Sequence, residues 1–348
     1  MSVPFLAAAN VYAALEPGES VDTVRRAFVE HARGSWFMPS KVYVPAPPDG
    51  DFRAMPASGG GFAVLKWVTS FPRNPERGLP TVAGLVLVSD AGTGELRAAL
   101  DAGAVTALRT GAAAVLAAET LARDTSGPAA VIGCGVNGRA VARTFVARGR
   151  SVVLWDARPE QAEALAGELG GAASVAPERA DALAADVVAT VTPGAEIVVP
   201  PGSLRPGQHA SLMGADGPGK AEIAVEELLR ARVVVDGRDK VDPNGTLSKS
   251  TDAPGRMRLF CDEWDQASHA GDLARAVQAG KLGREDVTEL GDVLIGAAEG
   301  RQSEDDITVF DSTGLAIQDL AAVIAIYERW REEPRAEAFA GVSEIDFG

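Results

Sequence analysis

The apolar residues of this chain change period as the chain is followed. Between positions 61 and 90 two runs, GFAVLKWVTSF and TVAGLVLVSD, are rich in valine, threonine and aromatic residues and flank the turn-forming stretch PRNPERGLP. They predict two strands paired antiparallel. An alanine-rich stretch at 105–122 then predicts a helix that opens at LRTGAAA. From 129 to 237 short apolar runs alternate with helical ones: AAVIG, RAVARTFVARG, SVVLWD, PEQAEALAGEL, DVVATVT, HASLMGAD and RVVVDG. Such alternation predicts βαβ units wound into a parallel sheet. Polar, helix-prone segments follow at 261–300, and DITVFDSTG reads as a strand leading into an amphipathic helix, LAIQDLAAVIAIYERW. The apolar run at 5–15 predicts a first helix, and the APGRMR and VDPNGTLSKS neighbourhoods predict loops.

Composition narrows the class. A length of 348 residues suggests two domains, one of which can be discontinuous. With 48 acidic against 33 basic residues the net charge is -15, which argues against a nucleic-acid partner. Cys134 and Cys261 are too few for a disulfide framework and lack CxxC spacing, which points to a reducing cytoplasm. The histidines, His31, His209 and His269, show no ligand spacing, so no metal is expected. No run approaches the roughly 18–20 uninterrupted apolar residues of a membrane span. No Lys or Arg precedes the 5–15 run to make it a secretory leader.

The chemistry-bearing motif is Gly133-Cys134-Gly135-Val136-Asn137-Gly138, placed after the strand AAVI and at the opening of a helix. In that context the first glycine permits the turn, the second admits a pyrophosphate to the backbone, and the third lets helix and strand pack closely. The next strand, SVVLWD, ends in Asp156, whose carboxylate would accept from ribose hydroxyls and repel a 2′-phosphate. NAD is therefore the expected cofactor, with Arg158 two residues on as a softening influence. The bland alternative is a tight βα turn in which Asp156 caps a helix. Cys134, inside the loop, reads as a small packing residue.

The flanking segments carry a resemblance. MPSKVYV, DFRAMPA, GFAVLKWV, NPERGLPTVAG, ALRTGAAA, IGCG, GADGPGK and ITVFDSTGLAIQDLA together resemble the ornithine cyclodeaminase and mu-crystallin family, from about position 37 to 326. The order of PK-VY, D-RAMPA, LKWV and RTGAA is most similar to its archaeal-type alanine dehydrogenase branch. The resemblance implies an α/β fold with a Rossmann dinucleotide-binding domain at 123–305. That domain is inserted into a discontinuous α+β substrate-binding and dimerisation domain formed by 1–122 and 306–348. It also implies a homodimer, a small amino, imino or 2-oxo acid as substrate, and no membrane partner.

Oxidising an amino acid with NAD requires cations for the substrate carboxylate and a group that moves protons. Lys41, Arg53, Lys66 and Arg109 sit among apolar or glycine neighbours, unusual company for purely solvating charges. From the residues alone, Lys66 in AVLKWV is as readily an exposed strand lysine as a functional one. Arg109 suits either a substrate carboxylate or a pyrophosphate and is read as beginning a helix. The resemblance implies that Lys66 binds substrate and shares its proton with the reaction, that Lys41 and Arg53 line the pocket, and that Arg109 with Thr110 serves the cofactor phosphates. Many relatives carry arginine where Lys41 stands. Asp216 in GADGPGK lies beyond a predicted strand end, a turn aspartate by composition and the catalytic proton acceptor by resemblance. Further cofactor contacts implied by motif are Thr81, Gly133, Gly135, Val136, Asn137, Thr192, Met213, Lys220 and Ser312.

Three reactions fit such a site. The imine formed by hydride loss is hydrolysed to a 2-oxo acid and ammonia, as in alanine dehydrogenase, or captured by a side-chain amine, as in cyclodeamination, or the enzyme reduces a cyclic ketimine. The family also includes crystallins and a hormone binder, so a non-catalytic binding protein is the alternative of a different class. The presence of Lys66, Arg109 and Asp216 argues against it.

Overall fold

The strand pair predicted at 61–90 lies in the middle of a seven-stranded sheet. The computed structural model describes residues 2–123, 126–233, 240–241, 247–248 and 256–346. In chain order its strands are β1 (Ser2–Leu6), β2 (Val42–Ala46), β3 (Gly50–Gly59), β4 (Phe62–Ser70), β5 (Val82–Asp90), β6 (Leu96–Asp101), β7 (Ala129–Ile132), β8 (Val152–Trp155), β9 (Ala173–Val175), β10 (Val187–Thr190), β11 (His209–Leu212), β12 (Lys240–Val241), β13 (Leu247–Ser248), β14 (Met257–Cys261), β15 (Val287–Glu289), β16 (Ile307–Asp311) and β17 (Ser343–Asp346). Two units divide the chain: Met1–Leu116, Arg139–Arg148 and Gly314–Gly348 form the first, Ala117–Gly138 and Gly149–Thr313 the second.

The first unit is built on the sheet β17-β1-β6-β5-β4-β3-β2. Its neighbours run antiparallel except β1 and β6, which are parallel. Along β4 the residues Phe62, Val64, Lys66, Val68 and Ser70 are buried, whereas Leu65 and Trp67 point outward, the two-residue alternation of a strand with one covered face. The C-terminal helix Ala316–Glu332 packs on β3, β4 and the helix Pro17–Ala32. The opposite face of the sheet is apolar and open: Val42, Val44, Leu65, Trp67 and Leu85 are all exposed, with Phe52 stacked on Trp67. The 5–15 run is not a single helix. Residues 2–6 pair as β1, and a helix begins only at Ala8, where the Asn10 side chain accepts the Ala7 N–H at 3.1 Å.

The helix Ala102–Leu121, assigned to this unit as far as Leu116, starts three residues before the predicted stretch. Asp101 sets its start, accepting the Ala104 N–H through Oδ1 at 2.7 Å, the work of an N-cap carboxylate. Arg109 therefore stands inside the helix and does not begin it. Gly111 does not break the helix because it is a contact point: a Cβ there would lie 2.6 Å from Thr144 Oγ1 and 2.8 Å from the Ala140 carbonyl oxygen. By length and composition this helix would suit a bilayer, but 89% of its apolar window is buried inside the protein, so it is a core helix.

The second unit holds an eight-stranded parallel sheet in the order β15-β14-β16-β11-β10-β7-β8-β9. Counted from β7, and omitting β14 and β15, this is the 3-2-1-4-5-6 order of the dinucleotide-binding fold. The strands β7, β10, β11 and β16 are buried at every residue, as a sheet covered on both faces requires. Three expectations change here. The run ITVFD is the sixth strand of this sheet, so the chain returns to the first unit at Gly314 and not at 306. Its five buried residues mark it as a central strand. The segment 261–300 contains β15 and the end of β14 besides its short helices, and Met257 and Arg258, read as loop, belong to β14. Of RVVVDG, the helix Val225–Val233 takes the first two residues, and the rest lies outside the described residues, as does most of VDPNGTLSKS.

Candidate active site

In the first unit the site grows from the buried face of β4. Lys66 is 1% exposed, and its Nζ lies 2.7 Å from Asp319 Oδ2 and donates to Thr106 Oγ1 at 3.2 Å. Asp319, fully buried in the first turn of the C-terminal helix, also faces Arg109, whose Nε is 3.3 Å from Oδ1. One carboxylate thus sits between two cations. Burial drives the Lys66 pKa down to about 8; Arg109 and Arg53 push the same way, and Asp319 opposes them. A lysine near that value changes charge within reach of physiological pH.

Polar capacity is left over around this pair. Among the described residues Thr110 Oγ1 and Gln318 Nε2 are buried without a hydrogen-bond partner, and Arg109 Nε and the two Asp319 oxygens are engaged only by their ion-pair contacts. Buried groups of this kind are normally satisfied, so their concentration in one place marks a site shaped for a polar ligand. Gln318 Oε1 accepts from Arg109 Nη1 at 3.4 Å. Gly314, at φ +78°, comes so near that a Cβ would stand 2.7 Å from Arg109 Nη1, which accounts for the glycine of DSTG. Nearby, Lys41 and Arg53 are both buried and lie over the Tyr43 ring, 5.8 and 5.4 Å from its centroid. Asp51 pairs with Arg53 through two contacts, Oδ1 to Nε at 2.6 Å and Oδ2 to Nη2 at 3.2 Å.

Lys41, Arg53, Lys66, Arg109 and Thr110 therefore belong to one polar neighbourhood of the first unit. Thr81 does not join it. It precedes β5 and lies about 17 Å along the strand from Val86, the residue opposite Lys66. Thr106, Gln318 and Asp319 are additions that sequence reading missed. The available signal was Gln318-Asp319, a polar pair between Ile317 and Leu320 in a helix otherwise buried and apolar through its first turns.

In the second unit the glycine loop follows β7. Gly133 has φ +100°, and a Cβ on it would meet the Val191 carbonyl oxygen at 2.6 Å. At Gly138 a Cβ would stand 1.7 Å from the Gly133 oxygen, so the helix Val136–Ala147 packs against the loop as closely as glycine allows. Gly135 is exposed with open space beyond it. Asp156 accepts the Cys134 N–H at 2.7 Å and the Arg158 N–H at 2.9 Å, which fixes its carboxylate at the strand end while leaving lone pairs for hydroxyl donors. Arg158 is exposed, its Nε 4.0 Å from Asp156 Oδ1. Val136 is exposed at the start of the helix, and Asn137 beside it is half-buried. The turn, the close approach and the open second glycine together fit a dinucleotide.

Across the switch from β7 to β10, buried carboxylates tie the strand ends together. Glu222 accepts from Thr190 Oγ1, Thr192 N–H, Thr192 Oγ1 and Gly214 N–H, each at 2.7 Å, so it clamps the loops after β10 and β11 that carry Thr192 and Met213. Burial raises its pKa. Asp272 Oδ1 accepts the Glu222 and Ile223 N–H groups, and burial lifts the Asp272 pKa to about 7. Ser312 donates to Asp262 at 3.3 Å. Asp216 is half-buried after β11, with its Oδ1 2.6 Å from Lys220 Nζ.

The chain is similar to known proteins in both sequence and fold. Residues 3–334 match the family model described as the ornithine cyclodeaminase/mu-crystallin family. The chain is 38% identical over 336 residues, 94% of its own length and 95% of the relative's, to an alanine dehydrogenase of Archaeoglobus fulgidus. It superimposes on an archaeal alanine dehydrogenase dimer with bound NAD at a TM-score of 0.85, 35% identity and full coverage of both chains. A Δ1-pyrroline-2-carboxylate reductase of Thermococcus litoralis in complex with NADH and L-proline gives 0.82 at 25% identity, covering 95% of this chain and 98% of that one.

Proposed function

The chain belongs to the ornithine cyclodeaminase/mu-crystallin family, and from that premise we propose that it is an NAD-dependent amino-acid dehydrogenase. It converts a small L-amino acid, NAD+ and water into the 2-oxo acid, ammonium, NADH and a proton, and runs the reductive amination in reverse. The observation that carries this reading is the buried cation cluster of Lys66, Arg109 and Arg53 around unsatisfied polar groups, on a chain aligned end to end with alanine dehydrogenase.

In this reading Lys66, Arg53 and Lys41 hold the substrate carboxylate. The fork of Arg53 is already engaged by Asp51, so Lys66 and Lys41 act as point charges and the clamp tolerates some rotation of the carboxylate. Bound NAD supplies the hydride acceptor. The glycine loop and the opening of the helix Val136–Ala147 present N–H groups to its pyrophosphate, with Arg109 and Thr110 as further donors. Asp156 receives the adenosine ribose hydroxyls and disfavours a 2′-phosphate. Asp216 takes a proton from the substrate amine or from the attacking water, and its contact with Lys220 orients it for that step.

The chain acts as a homodimer. The open apolar face of the first sheet, with Trp67 stacked on Phe52 between Val44 and Leu85, is the surface that a second copy covers, because contiguous exposed apolar area of this kind marks an interface.

A second reading keeps the carboxylate clamp and changes what attacks the imine, giving cyclodeamination or reduction of a cyclic imino acid. The likeness to the pyrroline-carboxylate reductase favours it. One experiment separates them: NAD and a panel of L-amino acids, followed by NADH absorbance and by ammonia release. Net NADH with ammonia supports the dehydrogenase, and ammonia without net NADH supports cyclodeamination. Oxidation of NADH by a cyclic imino acid, with no response to amino acids, supports the reductase.

A further inference from the structure

Lys66 stands in surroundings that weaken its hold on its proton. It is enclosed, and the groups facing it from the neighbouring elements are Arg53 from β3, Thr106 and Arg109 from the helix Ala102–Leu121, and Asp319 from the C-terminal helix. Two of these are cations, one is neutral and one is an anion. Without the anion, three positive groups would share a volume shielded from water, and the ammonium is the member that can become neutral. The anion is held between the cations. Asp319 lies in the first turn of its helix, where the helix dipole favours a carboxylate, and each oxygen touches one cation.

We infer that Asp319 is a positioning residue for the reaction, whose buried carboxylate keeps Lys66 an ammonium ion and aims it at the substrate carboxylate. This rests on the reading of Lys66 as the substrate-binding cation. Asp319 does not itself touch substrate. It acts through Lys66 and, from its other oxygen, through Arg109, so the two cations are held at a set separation by a single group.

The test is the pH dependence of kcat/KM in Asp319→Asn. Losing a carboxylate in contact with a cation moves its titration by about 1–3 pH units, so the alkaline limb set by Lys66 shifts to lower pH by that amount. At fixed pH 8 the loss appears in KM more than in kcat. Asp319→Glu restores the charge and brings the limb back. A folded Asp319→Asn protein whose limb stays at the wild-type pH overturns the inference, since a purely structural role would lower activity without moving a titration. If Asp319→Asn does not fold, Lys66→Arg decides: arginine does not titrate in this range, so the alkaline limb disappears if the Lys66 proton sets it, and a folded Lys66→Arg protein that keeps the limb at the wild-type pH overturns the inference. The Lys66 titration is also read without turnover, by nitrogen-15 NMR of labelled lysine side chains assigned with Lys66→Met. If wild-type protein oxidises no amino acid, the functional reading fails while this signal still reports whether Asp319 controls the proton.

Discussion

Substituting alanine at Gly138 and, separately, at Gly135 tests the phosphate-loop reasoning with two methyl groups placed three residues apart. At Gly138 the new Cβ would be 1.7 Å from the Gly133 carbonyl oxygen, whereas ordinary contact begins at 3.4 Å. The loop and the helix Val136–Ala147 must therefore part by roughly 1.5 Å. Overpacking of this kind costs about 1–3 kcal/mol. For a unit of this size each kcal/mol lowers the melting temperature by about 2–4 °C, so Gly138→Ala should melt about 2–12 °C lower. Its NADH affinity should fall tenfold or more, about 1.4 kcal/mol, because the helix amides move off the pyrophosphate. At Gly135 no atom lies within 4 Å of the added Cβ, so stability should stay within about 0.5 kcal/mol of wild type. NADH affinity should still fall, since that space is where the cofactor approaches. Calorimetry gives the melting temperatures and NADH fluorescence titration the affinities. A Gly138→Ala protein that melts with wild type, or a Gly135→Ala protein that binds NADH normally, would refute the argument.

Three further outcomes follow from the geometry. Trp67→Asp, on the open face of the first sheet, should convert a dimer to a monomer in sedimentation velocity, and an unchanged dimer would place the interface elsewhere. Asp216→Asn should keep NADH binding within about threefold and lose turnover by about 100-fold or more, the range of a positioned acid-base group; retained turnover would remove Asp216 from the mechanism. Asp272 is raised to about 7 in the folded chain against a usual 3.8. The folded state therefore holds an extra proton between those values, and stability falls as pH rises from about 4 to 7 and then levels. Asp272→Asn keeps an acceptor for the Glu222 and Ile223 N–H groups and should flatten that slope, raising stability at pH 8 by on the order of 1 kcal/mol in urea titrations. A steeper slope would contradict the assignment.

The nucleotide-binding half was legible because its signals are local. Glycine spacing, an all-apolar strand and an acidic strand end fall within a few dozen residues and need no tertiary knowledge. Within β4 the alternation of Leu65, Lys66 and Trp67 showed that the lysine and the tryptophan face opposite ways, but not which face is covered; the packing of the C-terminal helix decides that. Asp319 was hidden for the same reason, since its partner lies near the other end of the chain. The start of the helix Ala102–Leu121 was misplaced because Gly111 looks like a breaker until its contact with Ala140 and Thr144 is known. The strand ITVFD was given to the wrong unit because chain order suggests a return, while its complete burial assigns it to the middle of the parallel sheet.

The register of β3 against β4 has an evolutionary consequence. Nine residue pairs, from Asp51 opposite Ser70 to Gly59 opposite Phe62, lock the strand that carries Lys66 on one face and Trp67 on the other. Deleting or inserting a single residue in β4 would exchange the faces, sending a charge into the open apolar surface and an indole into the cation cluster. Point substitutions can accumulate along this hairpin one at a time, but a change in its length disturbs the buried cation cluster and the open apolar face in the same step. Length variation among descendants of this chain should therefore be rare along β3 and β4, where every added or lost residue exchanges the two faces.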